Sequence, residues 1–138
     1  MSDLVIVGAG GHGRELFSTV QAINTVSPTW NVLGFVDDDP RHVERIDRLG
    51  SFVLGPIDWL SDRDVSVAIA VGTPAIRRSI FERLAMPVDS FPAIIHPTAS
   101  IGLDVELGHG VLVYERSVLT TAVRVGDHTH VNVGCAVQ

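Results

Sequence analysis

The chain has 138 residues, 46% of them hydrophobic and 19% charged, with 13 Gly, 7 Pro, one Cys and a formal net charge of −6; this composition describes a soluble globular chain of about one domain and excludes disordered or collagen-like chains. All ten basic residues are scattered arginines, so the basic patch that nucleic acid binding needs is missing, and Cys135 alone builds neither a disulfide scaffold nor a structural zinc site. The longest apolar runs, LVIVGAG and VAIAVG, fall far short of the ~20 residues of a membrane helix, and no signal peptide is read at the start, which sets a reducing, cytoplasmic location as the expectation.

DLVIV (Asp3 to Val7) is an apolar run stopped by glycines, the pattern of a strand buried on both faces. Arg14 to Ile23 carries Leu16, Val20 and Ile23 at helical spacing, and Ser27-Pro28 ends that helix. NVLGFVDDD (Asn31 to Asp39) reads as a second strand running into an acidic turn. Val43 to Leu49 predicts a short helix, Phe52 to Leu54 a short strand, and Pro56 a turn of helix ending near Leu60. Val65 to Val71 is a further buried strand. Pro74 then opens a helix through AIRRSIFERL, with Ile76, Ile80 and Leu84 on one apolar face. Strands alternating with helices predict a small parallel-sheet α/β unit over residues 1–94.

From Ile95 the period becomes six. The hexads are IHPTAS, IGLDVE, LGHGVL, VYERSV, LTTAVR, VGDHTH and VNVGCA, and Val137-Gln138 begins an eighth. Position one is always a branched aliphatic: Ile95, Ile101, Leu107, Val113, Leu119, Val125, Val131 and Val137. Position five is always small or β-branched, from Ala99 to Cys135, and Gly recurs at position two as Gly102, Gly108 and Gly126. A triangular β-solenoid explains this pattern, with one flat side and one corner per hexad, the aliphatic inside and glycine easing the corner. A hairpin series has no reason to keep an aliphatic at every sixth position. Three hexads make a coil, so residues 95–138 hold a little over two coils.

Gly8-Ala9-Gly10-Gly11-His12-Gly13 follows the first strand and opens the first helix. Glycines there permit a tight turn that brings backbone N–H groups and the helix N-terminus against a phosphate, with an unliganded βα turn as the alternative. Asp37, Asp38 and Asp39 end the second strand, either as partners of a ribose or base edge or as a solvated turn; the ligand role is favoured for Asp37 and solvent for Asp39. His12 is read as facing the ligand, against capping the helix or packing on the sheet. Gly72 and Thr73 lie at the carboxyl edge of the sheet, where open α/β sheets bind ligands, whereas Arg77 reads as a surface charge. His96, His109, His128 and His130 are scattered among the hexads without acidic or Cys partners at ligand spacing, so no metal site is expected; position six faces outward, which makes His130 a candidate for a surface between subunits.

The GAGGHG turn, the VDDD strand end, AVGTPAIRRSIFERL and the IIHPTASIG run into the hexads together resemble the NeuD/PglD-type sugar acyltransferases of bacterial surface-glycan pathways, over essentially the whole chain. The resemblance implies a small Rossmann-like domain that binds a UDP-sugar, followed by a left-handed parallel β-helix that trimerises and holds acetyl-CoA, a co-substrate rather than a tightly bound cofactor, between subunits. It sets Gly10, Gly11, His12 and Gly13 at the diphosphate, beside Gly8 of the same turn. Asp37 and Asp38 would meet the uridine, and Gly72 and Thr73 match the family's glycine-containing turn. The reaction would be direct acyl transfer to a sugar amine or hydroxyl, with a His as general base and backbone N–H groups steadying the thioester oxygen.

In the family pattern that His stands third in the eighth hexad, and the sequence stops at Val137-Gln138, positions one and two. No catalytic residue is therefore assigned, and the expectation is an acetyltransferase fragment that keeps nucleotide-sugar binding without turnover. The alternatives are a non-catalytic nucleotide-sugar module and, more weakly, an NAD-dependent oxidoreductase.

Overall fold

A computed structural model describes residues 1–138. Strand β1 (Ser2–Val7) lies between β2 (Trp30–Val36) and β4 (Ser66–Ile69), with β3 (Val53–Gly55) beyond β2; the order is β3-β2-β1-β4 and every pair is parallel. Because β1 is central, its alternating side chains feed two cores. Leu4 and Ile6 pack with Leu16, Phe17 and Val20 of helix α1 (Gly11–Val26) on one face. Val5 and Val7 pack with Ile69, Ile80 and Phe91 on the other, where helix α3 (Pro74–Leu84) lies. Helix α2 (Val43–Arg48) contributes Ile46 to the first core.

The boundaries depart from the sequence reading where the backbone finds partners the pattern does not show. Helix α1 starts in the glycine turn itself, since the Arg14 N–H donates to Gly10 C=O at 3.1 Å, and it runs to Val26. The strand expected over Val65 to Val71 pairs with β1 only through Ile69, after which the Ala70 N–H donates to Val7 C=O and the chain turns. On α3, Ile80 is buried but Ile76 is 50% exposed, so the apolar face is narrower than its three-residue stripe.

Residues from β5 (Ile94–Ile95) onward form two-residue strands every six residues: β6 (Ser100–Ile101), β7 (Glu106–Leu107), β8 (Leu112–Val113), β9 (Val118–Leu119), β10 (Arg124–Val125), β11 (His130–Val131) and β12 (Ala136–Val137). Strands eighteen residues apart stack in parallel, giving three flat sheets, β5-β8-β11, β6-β9-β12 and β7-β10. These are the coils of a left-handed parallel β-helix. Position one points inward, as Val113, Leu119 and Val131 are buried, and position five joins them at Val111, Ser117 and Val123. Full burial of each such aliphatic stabilises by about 1.5–3 kcal/mol, which requires a stacked neighbour.

The corner does not use glycine as expected. The left-handed residue is position four, occupied by Asp104 (φ 56), Gly110 (φ 68), Arg116 (φ 58), Ala122 (φ 57), His128 (φ 57) and Gly134 (φ 69). Position two has no such conformation. Its glycines instead admit the next coil: a Cβ on Gly102 would overlap the Thr120 carbonyl oxygen and one on Gly108 the Asp127 carboxylate, while Gly126 faces open space.

The first coil also packs on the sheet. Ile94, Leu112 and Tyr114 belong to the same core as Leu4, Leu16 and Ala68.

Candidate functional site

The glycine turn is built by three constraints. Gly8 has φ +105, a left-handed backbone, and a Cβ there would lie 2.7 Å from Ala70 C=O, so β1 can turn only on glycine beside β4. A Cβ on Gly13 would overlap the Gly8 carbonyl oxygen and press on Phe35, so the third glycine sets how closely α1 approaches β1. Gly10 and Gly11 have open space around them and are exposed. The first turn of α1 carries neither a side-chain cap nor an acidic residue. Its free N–H groups and the positive end of the helix dipole therefore remain available to an anion.

Asp37 holds this turn. Its Oδ2 accepts the Ala9 N–H and its Oδ1 the Asp39 N–H, both at 2.9 Å. Each oxygen retains a second acceptor site, so clamping does not remove Asp37 from ligand chemistry. Asp38 is engaged differently: Oδ1 accepts the Ile57 N–H at 2.9 Å and Oδ2 meets Arg83 Nη1 at 2.6 Å. The Arg83 bond, then the Ile57 amide, hold its carboxyl below the ordinary range. Arg83 also bonds Asp58 at 2.8 Å, and the two carboxylates raise its own pKa. Asp39 is exposed and faces Arg41 at 3.3 Å. Gly8, Asp37, Asp38, Ile76, Ile80 and Arg83 line a cleft of ≈ 360 Å³ at the carboxyl ends of the strands. Exposed Ile76 is accounted for as its apolar wall.

Beyond Val71, which lines the cleft, lies the exit of β4. Gly72 lies under the His12 ring, where a Cβ would come 2.5 Å from His12 Nε2. Thr73 is the N-cap residue of α3 and makes no side-chain capping bond. The structure thus brings Gly8, Gly10, Gly11, His12, Gly13, Asp37, Asp38, Gly72 and Thr73 to one edge of the sheet.

Two readings of polar residues are corrected. Arg77 is not a surface charge: it is half-buried, and its Nη1–H donates to Val71 C=O at 2.9 Å and reaches Gly72 C=O at 3.4 Å. His130 faces out of the solenoid as position six does, but it meets the α/β unit of its own chain instead of a free surface. Its Nε2 lies 3.0 Å from Ile69 C=O and its Nδ1 3.0 Å from Arg77 Nη1. A carbonyl on one side and a cationic donor on the other assign the neutral tautomer with the proton on Nε2. Burial, and then Arg77, push the His130 pKa down to about 4. His128 stands between Phe81 and Phe91, with ring centroids 4.7 and 5.1 Å away, and both of its nitrogens are buried without a partner; burial lowers its pKa. A second cleft of ≈ 610 Å³ separates α3 from this corner, between Arg77, Phe81, His128 and His130. Sequence reasoning missed Arg77, Arg83 and His130, and the one local hint was the placement of Arg77 one helical turn after the Gly72-Thr73 exit.

Comparison with known proteins gives a consistent picture. The family model described as the PglD N-terminal domain matches residues 3–84. The UDP-N-acetylbacillosamine N-acetyltransferase of Bacillus subtilis strain 168 is 30% identical over 118 residues, which is 82% of this chain and 51% of that protein. The acetyltransferase domain of PglB from Neisseria gonorrhoeae FA1090, solved with acetyl coenzyme A, superposes with a TM-score of 0.79 at 26% identity over 99% of this chain and 64% of its own. PerB from Caulobacter crescentus, solved with CoA and GDP-perosamine, superposes with a TM-score of 0.79 at 26% identity over 99% of this chain and 63% of its own. The chain thus spans about half the length of the curated relative and less than two thirds of the solved ones.

Proposed function

Since the chain belongs to the PglD N-terminal domain family, we propose that its α/β unit binds a UDP-sugar and that it serves acetyl transfer from acetyl-CoA to that sugar in the cytoplasm, for surface-glycan synthesis. The observation that carries this reading is the uncapped start of α1, built on Gly8, Gly10 and Gly13 and clamped by Asp37 at the mouth of an apolar-walled cleft. In this reading Gly10, Gly11, His12 and Gly13 hold the diphosphate, Asp37 and Asp38 approach the uridine, and Gly72 and Thr73 border the sugar side. The relatives support the chemistry, being nucleotide-sugar N-acetyltransferases and structures with acetyl coenzyme A or CoA.

The transfer itself is an addition and elimination at the thioester. The sugar amine attacks the acetyl carbonyl, an N–C bond forms, the C–S bond breaks, CoA leaves as its thiolate, and a general base takes the amine proton. Neither His128 nor His130 suits that base. Both nitrogens of His130 are already bonded, and both of His128 are buried away from any substrate proton. Acetyl-CoA would lie between neighbouring β-helices of a homotrimer, outside the α/β cleft.

Calorimetry with a UDP-amino sugar, a GDP-amino sugar and NAD tests the reading. UDP-sugar binding measurably tighter than NAD binding is expected; tight NAD binding with no UDP-sugar binding overturns it. The GDP arm decides the base.

A further inference from the structure

We propose that His130 and Arg77 are positioning residues for the nucleotide-sugar site, a polar strut by which the solenoid fixes the exit of β4 and, through Gly72, the place of the His12 ring. The inference rests on the reading of the glycine turn as the nucleotide-sugar site.

The exit of β4 needs such a strut. Strand β4 is an edge of the sheet, and past the Ala70 N–H its backbone makes no further bond to β1. The carbonyls of Ile69 and Val71 nevertheless sit in a buried or half-buried stretch, where unpaired acceptors are costly, and that of exposed Gly72 follows directly. His130 takes the first, and Arg77 takes the second and reaches the third. The two side chains are then joined, Arg77 Nη1–H donating to His130 Nδ1 at 3.0 Å. Three backbone acceptors are thereby tied to one another by side chains from α3 and β11. The bonds close only with a neutral His130, because an imidazolium would turn its Nδ1–H toward the guanidinium.

From there the constraint passes to the site by packing. Gly72 is the residue on which the His12 ring rests, and the ring is 6.4 Å, centroid to centroid, from His130. Tyr114, itself buried, meets the His130 ring edge-on at 6.2 Å and closes the crevice from the solenoid side. His12 has a defined place because Gly72 cannot retreat: the carbonyls on both sides of it are held. Neither His130 nor Arg77 lines the cleft of Asp37 and Arg83. Their role in binding is therefore indirect.

The test uses the whole chain and three variants. In His130→Gln the side-chain amide keeps one donor and one acceptor. His130→Ala removes both. Arg77→Met removes the guanidinium while leaving the His130 bond to Ile69. The first readout is the imidazole ¹⁵N spectrum of His12 without ligand, and the second is calorimetric affinity for a UDP-amino sugar. In His130→Ala and Arg77→Met the His12 signals should move and broaden while the amide signals of β1 and the solenoid interior stay in place, and affinity should fall about tenfold, the scale of one hydrogen bond's worth of lost order. His130→Gln should restore both. Unmoved His12 signals in a folded His130→Ala or Arg77→Met protein overturn the inference. If His130→Ala does not fold, Arg77→Met carries the decision. If the unaltered chain binds no nucleotide sugar, the functional reading fails, and the His12 spectrum still decides whether the strut positions that ring.

Discussion

Acidification should loosen the fold through His130, by an amount its surroundings set. The ring is neutral in the folded chain, with a pKa of about 4 against an ordinary 6.5; burial is the main cause, Arg77 the second, and His12 and His128 add to it, while the Ile69 carbonyl opposes. Between those two values the unfolded chain binds a proton that the folded chain refuses, so unfolding is favoured as pH falls. The loss begins below about pH 6.5 and is complete near pH 4. The full difference is worth about 3 kcal/mol, and solvent reaching a half-buried ring reduces it to about 2 kcal/mol. By about pH 5 roughly half of that, about 1 kcal/mol, should be gone. Urea unfolding followed by the fluorescence of Trp30 and Trp59, at about pH 7.5 and about pH 5, measures it. Acidification acts on the whole chain, so the deciding quantity is the comparison with His130→Gln, which differs at that residue alone. The variant should lose less stability on acidification than the unaltered chain. Equal acid slopes for the two proteins would refute a neutral, buried His130.

The position-two glycines give a contrasting pair: Gly126→Ala, with open space and no left-handed φ, should leave stability unchanged or raise it by about 0.5 kcal/mol, whereas Gly102→Ala should destabilise by about 2 kcal/mol or more as the coils are forced apart. Thermal melts of both settle whether close approach or corner strain explains these glycines. Tyr114→Phe removes a buried hydroxyl that has no partner and should be neutral or stabilising by about 1 kcal/mol in urea titration; a loss would reveal a partner for that oxygen. Asp37→Asn leaves one carbonyl oxygen to serve two backbone donors, so the Ala9 or Asp39 amide should exchange its hydrogen faster and stability should fall by about 1–2 kcal/mol.

The solenoid was legible because its information is periodic. Each hexad places an aliphatic where the next coil will cover it, and eight repetitions leave one architecture that satisfies them all. The sheet was legible for a related reason, as LVIV of β1 must be buried on both faces and the flanking glycines mark its end. The corner residue was not legible, since four of the six left-handed positions hold Asp, Arg, Ala or His and no composition rule singles them out. Arg77 and His130 escaped because their partners lie across the fold. They meet over 53 positions of sequence, and His130 and Ile69 over 61, so nothing in either local pattern foretells the contact. Asp37 was legible only in part: its position at the strand end is visible in the sequence, but its hold on the Ala9 amide depends on how the turn bends back.

The two margins of the sheet meet the hazard of strand addition in opposite ways. At β3 the margin is three residues long and Pro56 follows at once, so an incoming strand finds little to pair with. At β4 the margin is apolar and longer, and the solenoid covers its end, with His130 occupying the last carbonyl and Leu112 and Tyr114 sharing the core behind Ala68. Removing that cover would bare the apolar surface at Ala68 and free the Ile69 carbonyl, which together form a site for self-association. In this fold the β-helix therefore closes the end of the edge strand beside it as well as its own coils.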